Sequence, residues 1–296
     1  MFGIRALRVL TTDICNYNCI YCHNEGQPTK NSIKMKIEDF KIFMQQYYDS
    51  ELKQVWFSGG EPFLNSDTIK MIEWMGINYP ECRLGCATNA SLLNEDIIKV
   101  LSKFNVKLNI NFPSLNQCEY ERTLRCNMYF KVIENLRLLN KHNVKYVLNF
   151  VLKNETLTEL DAVINFAISQ KCGLKILPYT SPNGENEIFK LFNIAKNKLD
   201  KIADKNEIDE ESQNYFWYKN VDNTVIRFRT YENPCYTKNH KSCKDRTEMR
   251  LLPNFTIKFC LIGNVYYPLN LQTGDIRKDI YKAWKNFTDC SAEIIQ

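Results

Sequence analysis

Three cysteines, Cys15, Cys19 and Cys22, stand at Cys-x3-Cys-x2-Cys spacing. They follow an apolar run, Ile4 to Leu10, that reads as a strand leading into a loop. Three thiolates on one loop can grip three corners of a cubane iron–sulfur cluster, whereas a complete cluster site takes four cysteines. With three, one iron keeps an open position, and a metal with an open position is generally there for chemistry. A zinc knuckle would need a fourth Cys or His at short spacing; His23 adjoins Cys22 but has no second partner in sequence. Downstream, Gly59-Gly60-Glu61-Pro62 closes a second strand-like run, Gln54 to Ser58. Paired glycines at a strand end let the backbone approach a ligand closely, and Glu61 sets an acceptor beside it.

The triplet, with Tyr21 just before its last cysteine, resembles the radical S-adenosylmethionine (SAM) enzymes. Gly59-Gly60-Glu61-Pro62 matches that family's second motif letter for letter. The resemblance implies that Cys15, Cys19 and Cys22 hold a [4Fe-4S] cluster whose open iron is chelated by the amino and carboxylate groups of SAM. It implies that SAM is cleaved reductively to a 5′-deoxyadenosyl radical, which abstracts hydrogen from the substrate, with flavodoxin or ferredoxin as electron donor. Ser58, Gly59, Gly60, Glu61 and Pro62 would then receive the methionine end of SAM, and Tyr21 would touch adenine. The stretch Thr88-Asn89-Ala90-Ser91-Leu92-Leu93 resembles the family's Thr-Asn-Gly-x-Leu-Leu, with Ala90 in place of Gly. Thr88 and Asn89 either face SAM or cap the next helix. Asn111 stands where relatives direct a polar residue to the SAM ribose. Asn149, set among Val147, Leu148, Phe150 and Val151, is an amide that needs a partner, either SAM or a core hydrogen bond.

A second set follows: Cys235, Cys243 and Cys260, with Arg246 and Arg250 between the last two. This segment resembles the GTP 3′,8-cyclase of molybdenum-cofactor biosynthesis and its Twitch and SPASM-like relatives. The resemblance implies an auxiliary [4Fe-4S] cluster, whose fourth ligand is Cys290, substrate or none. Three buried thiols are the alternative, but a polar, loop-rich segment is poor ground for burying them. Three features depart from the cyclase: Ile14 and Asn65 stand where it carries Arg, and Ile294-Ile295-Gln296 replaces a Gly-Gly tail. Triphosphate recognition needs several charge-assisted Arg contacts, and only Arg246 and Arg250 are in place for it. The expected substrate is therefore a small polar molecule, a sugar, nucleoside or nucleotide. A ribosomal peptide, GTP and a non-catalytic iron–sulfur sensor are the alternatives. The chain opens directly at its first strand, which leaves no room for a leader-binding domain and favours the small molecule. An aromatic hairpin over 213–230 could still pair with an extended peptide.

The elements that must position these residues alternate. Strands are expected at 5–11, 53–58, 83–88, 106–111, 144–152 and 173–178, with helices near 36–48, 66–78, 94–104, 127–141 and 157–170. Six βα units give an α/β fold, a partial (β/α)6 TIM-like barrel whose site forms at the C-terminal strand ends. The expected division is a barrel over 1–180, an amphipathic helical connection over 181–210 and a C-terminal auxiliary-cluster region over 211–296. Of the 296 residues 44% are apolar, enough for a sizeable core. The net charge of +5 is spread without a Lys/Arg run, so nucleic acid is not expected. No signal peptide and no stretch of about 18 apolar residues are present, so no membrane association and a cytoplasmic location are expected. There, 12 cysteines point to metal or catalysis rather than disulfides. Cys82, Cys86, Cys118, Cys126 and Cys172 lack ligand spacing and read as core or surface thiols.

Overall fold

Each of the first six strands is short, apolar and handed on to a helix, and in the structure they lie side by side in chain order. The structure, a computed structural model, describes residues 4–24, 27, 32–178, 185–209, 214–222, 224–231, 248–261, 263, 265–272 and 275–287. Strands β1 (Ala6–Leu10), β2 (Gln54–Ser58), β3 (Arg83–Thr88), β4 (Lys107–Asn111), β5 (Tyr146–Leu152) and β6 (Gly173–Pro178) pair in parallel. Helices α1 (Ile37–Tyr47), α2 (Asp67–Asn78), α3 (Glu95–Lys103), α4 (Gln117–Leu124), α5 (Tyr129–Lys141) and α6 (Leu160–Ser169) fill the connections. The start of α3 shows the local logic. Asn94 Oδ1 accepts from Ile97 N at 2.9 Å, and Glu95 and Asp96 occupy the positive end of the helix. Leu7, Val9, Val55, Phe57, Leu108, Ile110, Leu148 and Phe150 face Phe40, Met71, Ile98, Leu136 and Leu160 in the core. The α/β fold and its six units stand as expected, within two residues at each strand end.

The sheet does not stop at six strands. After α7 (Glu185–Ile202), β7 (Lys205–Asp209), β8 (Asn214–Val221) and β9 (Thr224–Tyr231) form an antiparallel meander, and β9 pairs in parallel with β6. On the other side β10 (Glu248–Leu251) lies parallel to β1, followed by antiparallel β11 (Thr256–Lys258) and β12 (Tyr267–Pro268). Helix α8 (Ile276–Asn286) closes the described chain, with Asp275 capping it through Lys278 N at 3.2 Å. The result is one 12-stranded sheet in the order β12-β11-β10-β1-β2-β3-β4-β5-β6-β9-β8-β7.

The sheet is strongly curled. Glu248 on β10 is stabilised as a carboxylate in part by Lys175 on β6, six inter-strand steps away in the sheet order. In a flat sheet those steps would separate the two strands by about 29 Å, beyond the range at which screened charges feel each other. The curl brings Lys175 of β6 near Glu248 of β10 on the inner side of the sheet, the lumen of a partial barrel.

Candidate functional site

The cysteine loop leaves β1 and is fixed first by the end of β2. Gly60 N donates to Thr12 O and Glu61 N to Ile14 O, both at 2.8 Å. This contact explains both glycines. Gly59 has φ +138°, and a Cβ on Gly60 would stand 2.1 Å from Ile14 O. The close approach that the motif permits is thus to the cysteine loop itself. On its other side the loop rests on α4: Asn18 N donates to Leu124 O at 3.3 Å and Ile20 N to Thr123 O at 3.1 Å. Sequence periodicity missed α4 because its Gln-Cys-Glu-Tyr-Glu-Arg-Thr-Leu run is short and mostly polar, with only Tyr120 and Leu124 marking an apolar face. Its signal is the cap: Asn116 Oδ1 accepts from Glu119 N at 3.1 Å, the N-cap and N3 positions of a capping pattern.

The donor set suits a cubane cluster. Each sulfur meets an N–H: Cys15 Sγ from Tyr17 N at 3.4 Å, Cys22 Sγ from Asn24 N at 3.3 Å, Cys19 Sγ from Asn111 Nδ2 at 3.9 Å. Burial, then the neighbouring Cys22 and Cys15 thiols, push the Cys19 thiol up to about 12. A bound cationic metal centre would reverse that push and favour the thiolate form. Among the described residues no three Cys, His, Asp or Glu side chains close around one point as a single ion needs; a cubane spreads its thiolates over three corners instead.

Glu61 is fully buried and ties strand ends together. Its carboxylate accepts from Thr88 Oγ1 at 2.8 Å, Asn89 N at 2.7 Å and Phe63 N at 3.2 Å. Burial raises its pKa to about 7 against the lowering effect of those donors. Asn89 Nδ2 donates to Asn16 Oδ1 at 2.8 Å, and Asn16 Nδ2 donates to Ser91 Oγ at 2.9 Å. Thr88 and Asn89 therefore clamp the β3 end to Glu61 and to the cysteine loop, and Asn94, not they, caps α3. Ala90, where the resemblance has Gly, sits at φ +63° with its carbonyl accepting from Asn135 Nδ2 at 2.8 Å. Ser58 and Pro62 are buried, their carbonyls accepting from Thr11 N at 2.9 Å and Thr68 Oγ1 at 2.6 Å.

Tyr21 and Asn111 meet: the Tyr21 hydroxyl donates to Asn111 Oδ1 at 2.9 Å. Asn149 is the register partner of Asn111 on β5 and so shares its face of the sheet. Its Oδ1 is buried, and no donor among the described residues reaches it. An orphaned buried acceptor beside the cysteine loop is what a site for a hydrogen-bonding ligand leaves behind.

Deeper in the lumen, Arg250, a substrate candidate from the sequence, joins charged residues of β1 and β11 that the apolar period does not mark. Arg8 on β1 aligns with Arg250 on β10, and Arg250 with Lys258 on β11. Glu248 joins them, 3.3 Å from Arg8 Nη2 and 2.9 Å from Arg250 Nη2. Burial raises the Glu248 pKa, but Arg8 and Arg250 more than offset that and hold it low. Lys258, 1% exposed, donates to Leu261 O at 3.2 Å and lies 4.7 Å from the Tyr266 ring; burial lowers its pKa to about 8. Arg8 also lies 6.0 Å from the Trp56 ring, whose flat seat depends on Gly85, where a Cβ would meet the indole at 2.5 Å.

Of the second cysteine set, Cys260 is half-buried and its Sγ accepts from Gly263 N at 3.2 Å. Cys235, Cys243, Arg246 and Cys290 lie outside the described residues. Cys82, Cys86 and Cys172 are buried, Cys118 is exposed and Cys126 is intermediate, in line with core and surface thiols. No described helix is long and apolar enough to cross a membrane.

Comparison with known proteins matches this arrangement. A probable GTP 3′,8-cyclase of Sulfurisphaera tokodaii is 28% identical over 266 residues, covering 88% of this chain and 82% of the relative. A GTP 3′,8-cyclase of Clostridium perfringens is 25% identical over 279 residues, covering 90% and 82%. Among solved structures, Streptococcus suis SuiB bound to S-adenosylmethionine superposes with a TM-score of 0.70 at 15% identity, covering 95% of this chain and 65% of that one. The structure of anSMEcpe with bound AdoMet gives a TM-score of 0.56 at 18% identity, covering 67% of this chain and 60% of that one. At such identities the two speak to the fold, and this chain spans less than two thirds of either. The sequence pattern of the radical SAM superfamily matches residues 9–167, more than half the chain. With its strand-end cysteine loop and the Gly-Gly-Glu-Pro turn locked beside it, the chain belongs to the radical SAM superfamily, enzymes that work with a [4Fe-4S] cluster and SAM.

Proposed function

We propose that Cys15, Cys19 and Cys22 hold the cluster and that the enzyme takes hydrogen from a small polar, anionic molecule bound in the lumen. When bound, the cluster and SAM supply a carbon-centred radical as oxidant. The chain's own residues do the rest. The backbone at Ser58, Gly59, Gly60 and Pro62 lines the methionine end of SAM, with Glu61, Thr88 and Asn89 holding that turn rigid from behind. Asn149 offers its buried acceptor to the adenosyl part, beside Tyr21. Walls of strand and helix keep a reactive primary-carbon radical from water.

The observation that carries the substrate reading is the gathering of Arg8, Arg250 and Lys175 about the carboxylate of Glu248, with Lys258 beside Arg250 on β11. Charge-assisted contacts from such a group suit phosphate or carboxylate. Arg246 belongs to the same reading by its place in the sequence. Cys235, Cys243 and Cys260, with Cys290 or substrate as fourth ligand, would hold an auxiliary [4Fe-4S] cluster that binds substrate or accepts an electron from it. On this reading 1–180 binds SAM, 181–210 connects and 211–296 carries the second cluster. The reducing electron comes from a flavodoxin- or ferredoxin-type donor in a cytoplasmic setting.

A modified peptide is the second reading. The outer strand β7, exposed at every residue, offers an edge for strand addition. GTP is a third, from the names of the relatives. Against it, Asn65, where the cyclase resemblance wants Arg, is 4% exposed and its Nδ2 is spent on Thr11 O at 2.9 Å and Met35 O at 2.8 Å. The test is anaerobic. Dithionite-reduced protein with SAM should release 5′-deoxyadenosine, and no release would return the chain to a non-catalytic sensor. Deuterated sugar phosphates and nucleotides, each beside its dephosphorylated form, should pass label into 5′-deoxyadenosine only when the anionic group is present. Label from a peptide alone would refute the small-molecule reading. Roughly eight iron per chain distinguishes two cubanes from roughly four for one.

A further inference from the structure

Asn111, the last residue of β4, and its register partner Asn149, in the middle of β5, sit side by side and do different things. Tyr21 donates into Asn111 Oδ1 at 2.9 Å, which leaves Nδ2 turned to Cys19 Sγ at 3.9 Å. With Cys19 as a thiolate ligand, a flipped amide would set a carbonyl oxygen against the sulfur, acceptor against acceptor, so the sulfur selects Nδ2 and the Tyr21 hydroxyl steadies the amide by donating to its other end. The backbone amides of Tyr17 and Asn24 serve Cys15 and Cys22. Of these three donors, only the one at Cys19 belongs to a side chain and can be removed without moving the loop.

We propose that Asn111, held by Tyr21, is a positioning residue that donates to Cys19 Sγ and eases reduction of the cluster, while Asn149 is the amide that meets bound SAM. This rests on Cys19 being a cluster ligand. Reduction adds a negative charge shared with the sulfurs, and a hydrogen bond to a ligand sulfur stabilises that state more than the oxidised one. At 3.9 Å the donor sits at the outer limit for sulfur, so its removal has a moderate effect. Asn149 has the complementary property, an oxygen that no described donor reaches, open to a hydroxyl or amino hydrogen of the adenosyl group. The ribose role that sequence position gives Asn111 passes to its neighbour.

The experiment is a potentiometric EPR titration of the anaerobically reconstituted full chain, without and with SAM. N111A should make the cluster harder to reduce, with a threefold to tenfold fall in the reduced-to-oxidised ratio at fixed potential; tenfold is about 59 mV for one electron. Y21F should shift the same way by less, because the amide stays but is free to turn. N149A should leave the SAM-free potential in place and weaken the SAM-dependent change of the signal about tenfold. An N111A potential equal to wild type overturns the proposal, and so does loss of the SAM response in N111A with the potential intact. Where N111A takes up too little iron to titrate, Y21F decides, and an unshifted potential there overturns it. A wild-type chain without the cubane signal, or a C19A variant that keeps it, would instead place the failure with the ligand assignment of Cys19.

Discussion

Gly60→Ala isolates the contact between the Gly-Gly-Glu-Pro turn and the cysteine loop. Unlike Gly59, Gly60 has no positive φ, so the substitution adds steric contact without backbone strain. The new Cβ would stand 2.1 Å from Ile14 O, 2.4 Å from Ile14 C and 2.9 Å from Cys15 N, against an ordinary contact that begins at 3.4 Å. The obstacle is backbone, which cannot swing aside as a side chain end can. Relief requires a retreat of 1.3 Å, the difference between 3.4 and 2.1 Å, directly beside Cys15. That retreat breaks or lengthens Glu61 N to Ile14 O and Gly60 N to Thr12 O, now 2.8 Å each. Two hydrogen bonds at about 1 kcal/mol each, with about 1–3 kcal/mol for overpacking, give a loss of about 3–5 kcal/mol if the loop holds. If the loop yields, misplacement by about 1 Å is worth about a hundredfold in rate. Anaerobic iron content, cluster absorbance and the thermal midpoint should be read together. A G60A protein that matches wild type in all three would refute the claim that these glycines exist to admit the loop.

Three further outcomes follow from the site. Ala90→Gly should change stability by less than about 1 kcal/mol, since relief of the left-handed backbone, about 1–2 kcal/mol, is offset by a lost buried methyl and added unfolded-chain entropy; Ala90→Val should cost clearly more, and urea midpoints compare them. Glu61, with its pKa raised to about 7 by burial, binds its proton more tightly folded than unfolded, so its contribution is full below about pH 4.5 and is lost as pH rises to 7. The change is up to about 3 kcal/mol. E61Q should remove that slope between pH 5 and 8 in thermal midpoints while being less stable overall, because one N–H then faces an amide N–H2. Glu248→Gln leaves Arg8 and Arg250 without the carboxylate they share and should cost about 2 kcal/mol at neutral pH. Pyrophosphate should restore more of the thermal midpoint in E248Q than it adds to wild type at matched ionic strength; equal shifts would count against an anion site in the lumen.

What the sequence made legible was local. The six strands and most of their helices could be read because an apolar period and capping residues such as Asn94 act within about ten residues. The cysteine triplet could be read because its ligand geometry is carried by spacing alone. Helix α4 could not, since its eight residues give the apolar period a single repeat, Tyr120 to Leu124. Nor could the lumen, where Arg8 meets Glu248 across 240 residues of chain. The Glu-Met-Arg-Leu segment reads only as part of a motif until β1 gives it a partner. Thr88 and Asn89 were ambiguous for a related reason: their type fits a ligand contact or a helix cap, and the third option, Glu61 and Asn16, exists only once three strand ends converge.

The parallel pairing of β10 with β1 bears on how the enzyme is made. Strand β1 emerges first from the ribosome, yet one of its edges stays bare until β10 has been synthesised, on the order of tens of seconds later at typical elongation rates. The other flank, β6, likewise waits for β9. Unpaired edges of apolar strands invite pairing with other chains, so truncation near residue 180 should yield a sticky fragment rather than a small SAM-binding domain.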